Sequence, residues 1–266
     1  MKLCCSSYSY ARALAAGRLT HLEWVDLCGR ELMLDGVEFV RSHFPRLDTE
    51  YVAQLKKLCA DRCLTVACLD HDVPFDASDV DRHVASLTNT LEIAAGLGAP
   101  LVRIHAGTVA GSPLLAWREL IRGLSACCIQ AKQYNITFAL QPQAASPVGS
   151  PVEVKRAFKE CDSAWLRLAA TPEMFNGLSK DGWDEALGAT VIVGAPMHRL
   201  DTFGADEATD YLQVLTSLWQ RRYRGFISVV YTGDEDEREA VARGVSWLRG
   251  ILAKDALKAA ATFAGD

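Results

Sequence analysis

Short runs rich in β-branched and other apolar residues recur along the chain at intervals of about 30 residues, separated by stretches with helical periodicity. They are Lys2–Ser7, Gly36–Val40, Leu64–Asp70, Leu101–His105, Ile136–Gln141, Trp165–Ala170, Thr190–Gly194 and Phe226–Tyr231. Most are apolar throughout, where a half-exposed strand would alternate, and this is the pattern of parallel strands covered on both faces. The stretches between them read as helices. His83 to Leu97 brings Val84, Leu87, Leu91, Ala94 and Ala95 to one face and stops at Gly96 and Gly98. Leu115 to Gln133 and Asp210 to Gln220 share that period. Ser150-Pro151-Val152-Glu153 is a helix start, with Ser as cap, Pro at the first position and Glu at the third.

Strands alternating with helices predict right-handed crossovers and a parallel sheet. Eight such repeats in 266 residues favour an α/β fold closed as a (β/α)8 TIM barrel over an open sheet. No linker or composition shift divides the chain, so residues 1–266 read as a single domain, with the Ala-rich tail after Lys254 expected to be a fraying helix end. In such a barrel, chemistry is installed where strands end at their C-termini.

Composition narrows the options. Half the residues are hydrophobic and 23% charged, which is globular. The net charge of −5 comes with no Lys/Arg face, so nucleic acid is not an expected partner. No apolar run approaches a membrane span, and the N-terminus lacks the pattern of a signal peptide. The nine cysteines are odd in number and lack zinc-finger spacing, so reduced core thiols in a cytoplasmic protein are expected.

Particular residues add a resemblance. Ser7-Tyr8-Ser9-Tyr10, Leu34-Asp35-Gly36-Val37-Glu38 and Leu97-Gly98-Ala99-Pro100-Leu101-Val102-Arg103 are similar to motifs of the sugar phosphate isomerase/epimerase family, the xylose-isomerase-like TIM barrel group. Tyr223-Arg224-Gly225-Phe226-Ile227-Ser228 followed by Gly233-Asp234-Glu235-Asp236 resembles that family's eighth strand and loop, so the likeness spans nearly the whole chain. The resemblance implies isomerisation or epimerisation of sugars with one Mn²⁺ or Mg²⁺, held by Glu, Asp, His and Glu at the ends of strands five to eight. Oxygen-rich ligands suit such hard cations. Carried over residue by residue, the ligands are replaced. Gln141 stands for the fifth-strand Glu, with Pro142-Gln143 after it; Thr171 stands for the Asp and Val230 for the last Glu. The seventh strand, Val191–Ala195, contains no His. The family's metal is therefore not expected here, and no other cofactor is implied.

What remains at the strand ends is His71, His105 and Glu38 as candidate acid–base groups. Tyr8, Arg103, Gln141, Gln143, Thr171, Glu173 and Tyr231 are candidate ligand-binding residues. His71 and His105 also resemble one lobe of the zinc site of the apurinic endonucleases, with Gln141 where a bridging Glu would stand; hydrogen-bonding roles are the preferred reading. Arg103 and His105 are two apart on a strand and point the same way. Pocket contact and an interior ion pair of Arg103 with Glu38 are equally open. Trp117, Trp183 and Tyr8 are candidates to line a sugar face. The leading expectation is a family member without metal-dependent isomerase activity, which keeps a small-molecule, sugar-like pocket or supports a partner protein. The alternatives are an active isomerase or epimerase using His71, His105 and Glu38, and a structural interaction subunit. Apolar helix faces would allow a homodimer.

Overall fold

A computed structural model describes residues 1–75, 79–107, 112–144, 146–175 and 182–263, with side chains described as far as Lys254. Eight parallel strands close in sequence order: β1 (Lys2–Ser6), β2 (Gly36–Val40), β3 (Thr65–Phe75), β4 (Leu101–Ala106), β5 (Thr137–Gln141), β6 (Leu166–Ala170), β7 (Thr190–Met197) and β8 (Phe226–Tyr231), with β8 pairing back onto β1. The helices are α1 (Ala11–Ala15), α2 (His21–Arg30), α3 (Thr49–Asp61), α4 (Val80–Leu97), α5 (Pro113–Tyr134), α6 (Pro151–Cys161), α7 (Trp183–Leu187), α8 (Tyr211–Gln220) and α9 (Glu237–Phe263). The chain folds as the (β/α)8 barrel its strand spacing predicts. Three strands run past the expected ends: β3 continues from Asp70 to Phe75, β4 by one residue from His105 to Ala106, and β7 from Gly194 to Met197.

Two apolar layers follow from alternation along the strands. Outward residues such as Val37, Phe39, Leu69, Val102, Phe138, Leu168, Val193 and Ile227 pack against the helices in the main core. Inward, Cys68, Ala139, Ala169 and Ile192 form a second, small cluster inside the barrel. Barrel interiors are commonly filled by bulky branched side chains. Here three of the four are small, which leaves room above them for longer polar side chains. Gly36 is fixed by lack of space: a Cβ there would stand 2.5 Å from the Thr65 carbonyl oxygen and 2.9 Å from the Phe226 ring.

Local chemistry sets the elements around the mouth. Ser150 caps α6 in a capping box with Glu153, as its sequence implies, and Thr20 and Glu23 do the same for α2. The β1–β8 seam is pinned at the top by Ser9, whose hydroxyl donates to Val229 O at 3.0 Å and accepts from Tyr231 N at 2.9 Å. The acidic run after β8 is structural at Glu237, which receives Arg12 N at 2.9 Å and Ala13 N at 3.0 Å. Among the described residues, no helix is long and apolar enough to cross a membrane.

Candidate functional site at the barrel mouth

Inward-facing residues of β2, β3, β4, β5 and β8 build a polar layer above the small floor. Parallel register sets Glu38 beside Cys68, Asp70 beside Arg103, and His105 beside Gln141. Arg103 leaves β4 and reaches across the interior. Its Nη2 lies 2.7 Å from Glu38 Oε1, and its Nη1 donates to Gln141 Oε1 at 2.9 Å. A Cβ on Gly194 of β7 would stand 3.6 Å from the same Nη1, so the guanidinium lies close to the far wall as well. Ser228 of β8 donates its hydroxyl to the other Glu38 oxygen. Glu38 and Ser228 are fully buried, and Arg103 nearly so.

The electrostatics of this pair oppose one another. Burial pushes the Glu38 carboxyl up from the usual carboxylate range, while Arg103 beside it pulls it down. Burial alone would lower Arg103, but Glu38 and then Asp70 outweigh it and the guanidinium is held more firmly charged. A guanidinium does not give up its proton in proteins, so Glu38 faces a permanent positive charge at 2.7 Å, and burial still leaves its carboxyl raised on balance.

Above it, closer to solvent, His105 Nε2 lies 3.1 Å from Asp70 Oδ1, with both side chains partly exposed. Gln143 reaches the other ring nitrogen, Nδ1, with its amide nitrogen at 3.4 Å. A carboxylate can only accept, so the imidazole proton sits on Nε2. In the neutral ring Nδ1 then carries the lone pair, approached by one long contact. Gln141 is oriented by the same logic: its oxygen faces Arg103, because only oxygen can accept from a guanidinium. Its amide N–H groups therefore face away from the arginine.

Of the three candidate acid–base residues, only His105 faces the mouth with a ring nitrogen available. Because β3 runs on past Asp70, alternation turns Asp70 inward and His71 outward. His71 is buried against α4, where its Nδ1 lies 2.9 Å from Thr90 Oγ1. The Thr90 hydroxyl donates to Ser86 O, so Nδ1 of His71 carries the hydrogen. Burial, and then Arg41, pushes this imidazole down to about 4. His71 and His105 nonetheless border one small cavity, together with His83 and Phe75. Among the described residues, no three His, Cys, Asp or Glu side chains gather as a metal-binding group.

The remaining candidates are dispersed. Thr171 is half-buried just past β6, and Glu173 is exposed on the 3-10 turn Pro172–Phe175. Tyr8 is exposed at the rim and stacks on His43 with ring centroids 6.0 Å apart. Tyr231 faces the helix layer instead of the pocket, its hydroxyl accepting from Glu235 N at 3.0 Å. Trp117 and Trp183 are also in the helix layer, the former donating to Glu160 at 2.8 Å, so neither lines a sugar face. Asp70 and Ser228 were not among the expected site residues. Each shares strand parity with a position that was singled out, Asp70 across from Arg103 and Ser228 two before Val230, and that parity is the signal that finds them.

A closed parallel barrel of eight strands with its helices outside defines a (β/α)8 protein, here with a polar cluster at the C-terminal mouth. The family model of the xylose isomerase-like TIM barrel matches residues 29–251, and the chain belongs to that family. Solved structures agree on the fold. D-psicose 3-epimerase from Clostridium cellulolyticum H10, solved with D-tagatose, is 13% identical with a TM-score of 0.76, covering 95% of this chain and 99% of that one. An AP endonuclease, family 2, from Brucella melitensis is 16% identical with a TM-score of 0.73, covering 91% and 97%. An L-ribulose 3-epimerase is 16% identical with a TM-score of 0.75, covering 96% and 97%. No curated protein matches the sequence significantly.

Proposed function

We propose that this chain binds a small, polyhydroxylated, sugar-like molecule at the barrel mouth and has given up the metal-dependent isomerase chemistry of its family. The observation that carries this reading is Arg103, whose guanidinium lies across the barrel between Glu38 and Gln141. The donor set does not fit a hard divalent cation. Gln141 Oε1 is already 2.9 Å from a guanidinium nitrogen. A divalent ion bonded to that oxygen would stand about 4–5 Å from a fixed positive charge, a repulsion of roughly 7 kcal/mol at an effective dielectric of 20. Thr171 and Val230 contribute no anion to offset it.

The mouth has the groups a polyol needs. Gln141, Gln143, Asp70 and His105 offer donors and acceptors side by side, and Tyr8 gives an exposed aromatic face at the rim. A net charge of −5 supports a small neutral ligand over nucleic acid. All nine cysteines are free, and seven are buried, which suits a reducing, cytoplasmic location. The test is elemental analysis of purified protein, followed by saturation-transfer NMR with unphosphorylated ketoses and polyols in the presence of a chelator. Chelator-insensitive binding, lost in Gln141→Ala, is expected. Stoichiometric Mn²⁺, Mg²⁺, Co²⁺ or Zn²⁺ that resists dialysis would overturn the reading.

A further inference from the structure

We infer that the mouth carries a metal-independent enolisation device for α-hydroxyketones, in which His105 Nδ1 is the base, the Gln141 amide holds the carbonyl oxygen, and Asp70 positions the imidazole. This rests on the sugar-like pocket proposed above and goes beyond it, because a pocket that only binds needs none of the three orientations. The imidazole is locked by the 3.1 Å contact from Nε2 to Asp70 Oδ1, which places the lone pair of the neutral ring on Nδ1. Among the described residues, the side-chain partner of that atom is the Gln143 amide at 3.4 Å, a contact long enough for a ligand to displace.

His105 and Gln141 are direct neighbours in the β4–β5 ladder, and both side chains point inward. Strands lie about 4.8 Å apart, so one small molecule can touch both. Arg103 stands behind Gln141 and polarises its amide, since the Gln141 oxygen accepts from the guanidinium at 2.9 Å. The N–H groups directed away from Arg103 are thereby better donors to an oxygen that gains charge.

The step balances without a metal or a redox partner. The C–H bond next to the carbonyl breaks, and its proton goes to His105 Nδ1. The electron pair forms the carbon–carbon double bond, and the carbonyl π pair moves onto oxygen, which accepts a hydrogen bond from the Gln141 amide N–H. Return of a proton from the imidazolium to carbon restores the ketone. Because that imidazolium exchanges with solvent, the restored bond carries solvent hydrogen. A base of this kind contributes about 10²–10⁴-fold in rate.

The experiment is proton NMR of dihydroxyacetone, D-ribulose and D-fructose with chelator-treated protein in D₂O, with binding followed separately by saturation transfer. Deuterium entering the carbon next to the carbonyl of at least one bound ketose, with a rate unaffected by chelator, is the expected result. His105→Gln should lower that rate, measured at saturating ketose, at least about 100-fold. Asp70→Asn should slow exchange and displace its pH profile, which a merely structural role would leave in place; rescue is expected in Asp70→Glu. Binding of one or more of these ketoses with exchange in none of them overturns the enolisation device and leaves the pocket reading standing. Absence of binding by any ketose overturns the pocket reading itself.

Discussion

Glu38 shows what one residue costs when it is placed inside a barrel. Its carboxylate is completely buried and is balanced by Arg103 at 2.7 Å and by the Ser228 hydroxyl. Removing one partner of a buried pair strands the other charge, at a cost of about 3–5 kcal/mol. Glu38→Gln is therefore expected to lower stability by that order in chemical denaturation. The double variant Glu38→Gln, Arg103→Met should recover part of the loss, because no uncompensated charge remains. The sequence made this pair legible as one of two open readings, since Arg103 and His105 share a strand face. It could not choose between them, because reach across a barrel depends on the small residues opposite. Cys68, Ala139, Ala169 and Gly194 leave that space, and their smallness has no meaning until the strands are closed around it.

At the scale of elements, strand length decides which chemistry faces the pocket. Read as ending at Asp70, the third strand offers His71 as a rim residue; running on to Phe75, it turns His71 into the helix layer and Asp70 inward. Termination was hard to read because Asp70-His71-Asp72 looks like a polar loop, yet β3 pairs with β4 through His71 and again at Phe75. Helix starts were easier, because a cap is a local event. Ser150 accepts from Glu153 N at 3.4 Å, and Glu153 returns a bond to Ser150 N at 3.0 Å. Ser150→Ala should cost about 1 kcal/mol in a thermal or urea melt and leave the mouth untouched.

Over the whole molecule, acid sensitivity follows from imidazoles that burial keeps neutral. Burial, then His43, pushes His21 down to about 4, and His71 reaches about the same value from burial and then Arg41. Both values lie below the 6.5 of an unfolded histidine, so the unfolded chain binds more protons between them. The stability contributed is complete above about pH 6.5 and is lost as pH falls toward 4, on the order of 3 kcal/mol for each group. Denaturation midpoints measured across pH 7 to 4 should fall accordingly. His71→Asn, which keeps a donor for Thr90, should make the slope shallower by one proton. The closed barrel itself was plain in the sequence, because eight apolar runs at regular spacing leave few ways to cover both strand faces. The interior was not, since hydrophobic patterning reports which residues are hidden and says little about what a hidden arginine meets.

That arginine has one last consequence. A metal centre is a negotiable part of a protein: it can be stripped by a chelator, swapped for a competing ion or left empty when supply fails. The cation across this barrel is covalently part of β4 and ties β4 to β2 and β5. It is delivered with every translated copy, in the same place, and no change in the ionic composition of the surroundings can remove it.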